Sequence, residues 1–257
     1  MVRRSVKTLV KKLLARRGLA IRPLNEAPPK RSLGYIAARE TVSAARCDGL
    51  SVCEYVEKLW NQHGKTQKVI DRMSSVGILN GENLNIIEIG AGTGRYLEKI
   101  LQKTSPAKYE SYETAKDWAE WLRSTYPIIA HEADGVSLKQ TPSHSIDLLH
   151  AHGVFVYLPF VVSWQYFKEI WRVMKPNGSV VFDVFSENVM DENTVEKWLR
   201  TNEGYPCFLS KGYVTSKFES HGFRLIESFP LPYGSGESEY LVFKRITHDQ
   251  QTAPPDR

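Results

Sequence analysis

The chain has 257 residues, 42% of them hydrophobic and 25% charged, and this balance excludes an intrinsically disordered protein. Residues 1–32 hold ten Lys or Arg residues and one acid, which leaves 24 basic and 28 acidic side chains for the rest. The net charge of +5 therefore comes from an N-terminal arm, which argues against a basic body that grips nucleic acid. No apolar run reaches the ~18 residues of a membrane span.

The three cysteines, Cys47, Cys53 and Cys207, form no CxxC pair. We therefore expect neither a disulfide framework nor a zinc site, and a cytoplasmic location. No spacing in the chain is typical of a dedicated Mg²⁺ or Zn²⁺ site, so no metal is predicted.

The arm at 1–32 predicts a basic amphipathic helix followed by a proline-containing linker. Apolar residues recur at helical spacing between Val6 and Leu14, with Arg and Lys on the other side. Such a helix can lie on an anionic membrane surface, which would place the protein peripherally on the inner face of a membrane. A solvated helix, an oligomer contact and an RNA-binding arm remain open alternatives; the oligomeric state is not predicted.

Residues 33–80 predict a helical cap, with Val52, Tyr55, Val56 and Trp60 along one face of the helical pattern. The run HGKT at 63–66 resembles the end of a phosphate-binding P-loop. That motif requires a glycine at position 59, where this chain has Leu59, so a P-loop is not predicted.

From residue 85 onward, predicted strands and helices alternate, which is typical of a parallel sheet with helices on both faces. The predicted strands are 85–89, 108–113, 127–134, 145–152, 179–185, 223–229 and 239–245. A turn is predicted at KPNG, 175–178, and a short glycine-containing connection predicts an antiparallel final pair. We expect a Rossmann-like α/β core over 81–245 and a disordered tail at 246–257.

The run IIEIGAGTGRYLEKI at 86–100 predicts a strand, a glycine loop and a helix. A dinucleotide fingerprint would need glycines at 90, 92 and 95, but the third glycine is Gly94 and position 95 is Arg95. The spacing therefore argues against a nicotinamide-dependent oxidoreductase, which remains the weakest alternative.

The loop resembles motif I of the class I S-adenosylmethionine-dependent methyltransferases, and matching segments span residues 85–244, including IWRVMKPNGSVVFDV. The resemblance implies a seven-stranded, mainly parallel sheet and S-adenosyl-L-methionine as cofactor, with S-adenosyl-L-homocysteine as product. In this family, an acid such as Glu113 binds the ribose hydroxyls, and an acid such as Asp134 contacts the adenine amino group. Asp134 before Gly135 is also a routine turn former. The residues predicted to bind the cofactor are Glu88, Gly90, Ala91, Gly92, Gly94, Glu113, Asp134, Gly135 and His150.

The methyl acceptor should lie beside the segment LLHAHGVFVYLP at 148–159, which follows the fourth strand. This segment lacks the Asn/Asp-Pro-Pro-aromatic motif of the family's nucleic-acid amino methyltransferases. His152, just past the strand end, is predicted to act as a general base for a hydroxyl acceptor. Asp183 is predicted to orient a histidine or the acceptor. A purely structural role is the alternative for either histidine, and it is the better reading of His150.

The chain also looks like methyltransferases of bacterial sugar and glycan biosynthesis. This resemblance implies O-methylation of a hydroxyl on a sugar, a lipid-linked glycan or another small molecule. The alternative is a methyltransferase-like protein without catalysis, serving as a cofactor sensor or a membrane-tethered scaffold.

Overall fold

A computed structural model describes residues 35–201 and 207–247. The predicted arm at 1–32 and nearly all of the predicted tail at 246–257 lie outside the described residues. The described residues belong to one compact unit, and they form eight helices and seven strands.

Three helices precede the sheet, in the segment predicted as a helical cap. They are α1 (Ala38–Cys47), α2 (Val52–Leu59) and α3 (Lys65–Ser75). Ser51 and Glu54 form a capping box that fixes the start of α2. Gly64, in the left-handed conformation, precedes α3. The single helical pattern of the sequence is thus divided at two turns.

The other helices pack against the sheet. They are α4 (Arg95–Lys103), α5 (Lys116–Thr125), α6 (Phe160–Val173), α7 (Glu192–Thr201) and α8 (Lys211–Ser220). Helix α7 was not predicted from the sequence, whereas α4, α5, α6 and α8 were.

Seven strands form one sheet, in the order β3-β2-β1-β4-β5-β7-β6. They are β1 (Asn85–Ile89), β2 (Lys108–Glu113), β3 (Ile129–Glu132), β4 (Ile146–Ala151), β5 (Met174–Val184), β6 (Phe223–Tyr233) and β7 (Gly236–Arg245). Strands β1 to β5 pair in parallel, and β7 runs antiparallel to both β5 and β6. The predicted Rossmann-like sheet with an antiparallel C-terminal pair is confirmed.

The sheet buries apolar side chains on both faces, as the short apolar strands predict. Ile86 points into the cluster that includes residues of α3, α4 and α5, and Ile87 into the one that includes α6 and α8. Because Ile70 and Met73 of α3 are fully buried in the first cluster, the cap helices share the core of the sheet.

The predicted turn KPNG differs from the structure, where these residues lie within β5. Asn177 has a φ of +63°, and the β4–β5 register shifts between Ile146 and Leu148. The left-handed residue is accommodated as an irregularity of the strand rather than as its start. In the described part of the chain, none of the helices combines the length and the apolarity needed to cross a membrane.

Candidate active site

The glycine loop joins β1 to α4 at the carboxyl end of the sheet. Gly90, Gly92 and Gly94 all have positive φ angles, between +51° and +73°. A Cβ on Gly90 would lie 2.8 Å from Val154, and one on Gly94 would lie 2.9 Å from Leu122. At Gly92, by contrast, the nearest atom to a Cβ would be 4.0 Å away. Gly90 and Gly94 therefore permit close packing, while Gly92 borders open space.

Glu113 ends β2 beside this loop, and its carboxylate is almost fully buried. One oxygen accepts the N–H of Gly92 at 2.7 Å, and the other accepts the N–H of Ala115 at 2.8 Å. Burial raises the pKa of Glu113, while the backbone N–H groups oppose that rise. The structure thus brings together the glycine loop and the predicted ribose-binding acid.

Asp134 and Gly135 follow β3, and the carboxylate of Asp134 is engaged within its own turn. It accepts the N–H groups of Val136 and Ser137 and the hydroxyl of Ser137, at 2.6 to 3.0 Å. The hydroxyl of Ser137 is the main cause that lowers the pKa of Asp134 to about 2. This geometry corresponds to the turn-forming alternative, and a contact with adenine stays a prediction.

Three other residues predicted on the cofactor side lie in the interior. The side chain of Ala91 packs in the cluster with Ile86. Glu88 of β1 is 1% exposed and His150 of β4 is fully buried. Since β1 and β4 are neighbours in register, Glu88 lies directly opposite His150 in the sheet. Both side chains are buried in the sheet, and a contact of either with the cofactor stays a prediction.

These buried groups form a continuous hydrogen-bonded chain that ends at His152. The hydroxyl of Tyr109, in β2, donates to Glu88 Oε2 at 2.7 Å and lies 2.9 Å from His150 Nε2. His150 Nδ1 lies 3.1 Å from His152 Nε2. Tyr109 was not singled out from the sequence, because its role depends on the pairing of β1, β2 and β4.

His152 is buried immediately after β4, with its ring stacked on Tyr96 at 3.7 Å between centroids. Its second nitrogen, Nδ1, is also buried and has no hydrogen-bond partner among the described residues. Burial lowers the pKa of His152 well below its ordinary value, and burial lowers that of His150 to about 3. Both rings are therefore neutral at physiological pH.

Asp183 lies near the end of β5 and is fully buried. One of its oxygens accepts the N–H of Gly153 at 2.7 Å, so it holds the residue that follows His152. Burial raises its pKa, and the nearby Lys65 opposes the rise. The structure brings together His152 and Asp183, the two residues predicted to be catalytic.

Two cations, Lys65 and Arg95, also reach this region and were not predicted as site residues. Lys65 Nζ lies 4.2 Å from the ring centroid of Tyr233, and Arg95 lies over the rings of Trp60 and Tyr96. The only sequence signals were HGKT at 63–66 and the arginine after the glycine loop. Neither signal indicates a site by itself, because the two cations come together only through the packing of the cap helices on the sheet.

Comparisons with known proteins agree with this architecture. The family model described as a methyltransferase domain matches residues 54–228, about two-thirds of the chain. The chain belongs to this methyltransferase family. A methyltransferase-like protein of Schizosaccharomyces pombe (strain 972 / ATCC 24843) is 26% identical over 151 residues. That match covers 58% of this methyltransferase but only 57% of the relative, so the chain spans little more than half of the relative's length.

Two solved structures illustrate the shared fold. Magnesium protoporphyrin IX methyltransferase from Synechocystis PCC 6803, with bound S-adenosylhomocysteine, has a TM-score of 0.57 at 11% identity, covering 80% of this chain and 97% of that chain. The 1,6-didemethyltoxoflavin-N1-methyltransferase of Burkholderia thailandensis, with its substrate and S-adenosylhomocysteine bound, has a TM-score of 0.54 at 14% identity, covering 86% and 93%. At these identities the likeness is one of fold.

The S-adenosylhomocysteine bound in such neighbours supports S-adenosylmethionine as the cofactor of this methyltransferase domain. The glycine loop fits this cofactor, because the space bordering Gly92 is free of side chains and Glu113 stands beside it. The described residues contain no group of three or more His, Cys, Asp or Glu side chains that could hold a metal ion.

Proposed function

We propose that this methyltransferase methylates a hydroxyl group of a small-molecule acceptor bound between the helical cap at 33–80 and the carboxyl end of the sheet. The observation that carries the proposal is Nδ1 of His152, which lies at the end of a hydrogen-bonded chain and is buried without a partner among residues 35–201 and 207–247. A hydroxyl loses its proton as it accepts a methyl group, so O-methylation needs a base at this place.

The cofactor is bound by the glycine loop in this proposal. Gly92 lets the backbone approach it, Glu113 accepts hydrogen bonds from its ribose, and the start of α4 favours its carboxylate. S-adenosylmethionine supplies an already activated methyl group on a sulfonium, and the chain aligns the acceptor oxygen with that carbon. The role of Asp134 toward adenine rests on the family resemblance alone.

The hydrogen-bonded chain gives the acceptor proton a route. When Glu88 is ionised, the hydroxyl of Tyr109 donates its hydrogen bond to Glu88. The oxygen of Tyr109 then accepts a hydrogen bond from Nε2 of His150. Nδ1 of His150 in turn accepts one from Nε2 of His152. This arrangement leaves the lone pair of His152 Nδ1 to accept the proton of the acceptor hydroxyl. As the oxygen–methyl bond forms, each group passes one proton along, and Glu88 receives the last one. Because burial keeps both imidazoles weakly basic, neither retains the proton.

The hydroxyl belongs to a sugar, a lipid-linked glycan or another small molecule in this proposal. A sugar or a lipid-linked glycan is supported by the basic amphipathic sequence at 1–32, which would hold the enzyme at an anionic membrane surface. Co-sedimentation of full-length and Δ1–32 protein with anionic liposomes tests this contact. Equal pelleting of the two proteins would exclude it.

The test of methyl transfer uses methyl-labelled S-adenosylmethionine, the purified protein and an extract from a deletion strain. We expect label in a small-molecule or lipid fraction, and none with Glu113→Ala, which should lose the cofactor.

His152→Ala should lower the rate of methyl transfer by roughly 100-fold or more while binding of S-adenosylhomocysteine is retained. His152→Phe keeps the ring that stacks on Tyr96 and should lose as much activity. Turnover within a few-fold of wild type in either variant would exclude His152 as the base.

The hydrogen-bonded chain is tested separately with Tyr109→Phe, which removes one hydroxyl. We expect kcat to fall about tenfold or more with KM unchanged, because His152 loses the group that orients its partner. Tyr112→Phe is the matched control: it removes a hydroxyl from the same strand, where the partner is Thr141 on the other face. Equal effects of the two substitutions would point to a purely structural role.

A non-catalytic cofactor sensor or scaffold is the second candidate function. Cofactor binding without label in any fraction would favour it. The nicotinamide-dependent alternative gains no support from the comparisons.

A further inference from the structure

We infer that Lys65 and Arg95 form a binding site for an anionic group, a carboxylate or a phosphate, carried by the methyl acceptor. This inference rests on the proposed methylation of a hydroxyl and names the class of molecule that bears it. It is carried by two buried cations, both near enough to His152 to lower its pKa.

Lys65 is the first residue of α3 and is only 5% exposed. Its Nζ has no hydrogen-bond partner among the described residues, although it lies over the ring of Tyr233. Lysine is rarely buried to this extent without a partner, since an ammonium group taken out of water loses its hydration. Burial lowers the pKa of Lys65 to about 8, which still leaves it mostly charged at neutral pH.

Arg95 is the first residue of α4, directly after the glycine loop, and is 9% exposed. Its guanidinium lies between the rings of Trp60 and Tyr96 and donates one hydrogen bond, at 3.2 Å, to Gln62. Across residues 35–201 and 207–247, neither Arg95 nor Lys65 forms an ion pair. Most N–H groups of the Arg95 guanidinium can therefore donate to another acceptor.

Two acids lie near these cations without forming an ion pair with either of them in the described part of the chain, and Oδ2 of Asp183 has no hydrogen-bond partner there. Asp183 accepts the N–H of Gly153, and Glu57 accepts the N–H groups of Gly64 and Thr66. An anion from the acceptor would supply the direct ion-pair partner that neither cation has among the described residues.

The position of the cations suits a second anchor point for the acceptor. Tyr96 lies between the two parts of the site. Its ring stacks on the ring of His152, and the guanidinium of Arg95 lies 5.1 Å from the centroid of the Tyr96 ring. An acceptor held by its anionic group at Lys65 and Arg95 can present a neighbouring hydroxyl to His152 Nδ1. Fixing two points of a small molecule converts binding energy into alignment.

The first experiment measures binding without turnover. Full-length protein saturated with S-adenosylhomocysteine is heated with millimolar benzoate, phenyl phosphate or the uncharged benzyl alcohol. We expect at least one anion, but not the alcohol, to raise Tm by about 2–4 °C. Lys65→Met should abolish this shift, whereas Lys68→Met, one turn away on the exposed side of α3, should preserve it. Equal shifts with the alcohol, no shift with either anion, or a shift that survives Lys65→Met would overturn the inference.

The second experiment uses the labelled product of the methylation assay. An anionic acceptor predicts that the product is retained on an anion exchanger at neutral pH. Release by phosphatase would identify a phosphate, and retention after phosphatase a carboxylate. A labelled product that passes through the column would overturn the inference while leaving the proposed methylation intact. If no labelled product forms, the proposed function fails, and the thermal shifts still decide whether the anion site exists.

Discussion

Glu88 is an acid placed in the interior of the sheet, where its hydrogen-bond donor is the hydroxyl of Tyr109. Burial is the main cause that raises its pKa from 4.5 to about 8. A carboxyl group with such a pKa changes its protonation state around pH 8, so it can receive a proton and release it again in slightly basic solution. Burying this carboxyl group does not stabilise the fold at neutral pH, whereas the proposed proton route gives it a function.

The buried carboxyl group of Glu88 should make the free energy of unfolding decrease as pH rises. The unfolded chain loses this proton near pH 4.5 and the folded chain only near pH 8. The contribution to the free energy of unfolding is therefore fully present below about pH 4.5 and is lost as pH rises to about 8. Glu88→Gln should thus become more stable than wild type as pH rises, by an amount on the order of a few kcal/mol.

Urea denaturation of wild type and Glu88→Gln across this pH range measures the difference, with Glu82→Gln at an exposed position as the control. The same variant should lower kcat about tenfold or more, because an amide cannot receive the proton. In wild type, kcat should rise with pH toward a plateau above about pH 8. A difference in stability that does not change with pH would contradict this description of Glu88.

At the scale of elements, the site is built from the carboxyl ends of parallel strands. The loop after β1, the end of β2, the residues after β4 and the end of β5 all meet at one edge of the sheet. This convergence is a property of the parallel topology, in which the carboxyl ends of β1 to β5 lie at the same end of the sheet. The cap then contributes Lys65 from the start of α3.

Gly92→Ala tests the loop after β1. The substitution places a methyl group in the space next to the loop and imposes a φ of +51° on alanine. We expect the affinity for S-adenosylhomocysteine to fall tenfold or more, measured by calorimetry. Gly49→Ala is the matched control, since Gly49 also has a positive φ and nothing within 4 Å of a Cβ. Both variants should lose about 1 kcal/mol of stability, and equal cofactor affinities would place the cofactor away from Gly92.

For the whole molecule, the main question is whether the cap and the sheet unfold together. The boundary predicted at residue 80 divides them, but Ile70 and Met73 of α3 are fully buried in a cluster that also contains Ile86 of β1 and Leu97 of α4. We propose that the cap at 33–80 and the core at 81–245 form one cooperative unit. An acceptor site between them would then be rigid.

Ile70→Ala should lower the free energy of unfolding by about 2–5 kcal/mol, since it removes buried methyl groups at the contact between α3 and the sheet. The transition should remain single, with circular dichroism and tryptophan fluorescence coincident in urea. Leu59→Ala, at a half-exposed position of the same cap, should change stability by about 0.5 kcal/mol or less. Two separate transitions would show that the cap unfolds alone.

Much of the fold was predictable because its signals are local. Short apolar runs, glycine turns and alternating helices predict a parallel sheet, and Gly94 in place of a glycine at 95 predicts a cofactor other than a dinucleotide. Where local signals were misleading, tertiary contacts decided: KPNG lies within β5 because β4 pairs with β5 on both sides of Asn177, at Met174 and from Ser179 onward.

The amino-acid sequence by itself determined the order of the elements, the glycine loop and the acid after the second strand, since each depends on residues close together in the chain. Only the tertiary structure decided that Glu88 and His150 face Tyr109 and that Lys65 and Arg95 share the space around His152. These residues are up to 87 positions apart, from Lys65 to His152. Strand register and the docking of the cap, which no local pattern encodes, set their distances.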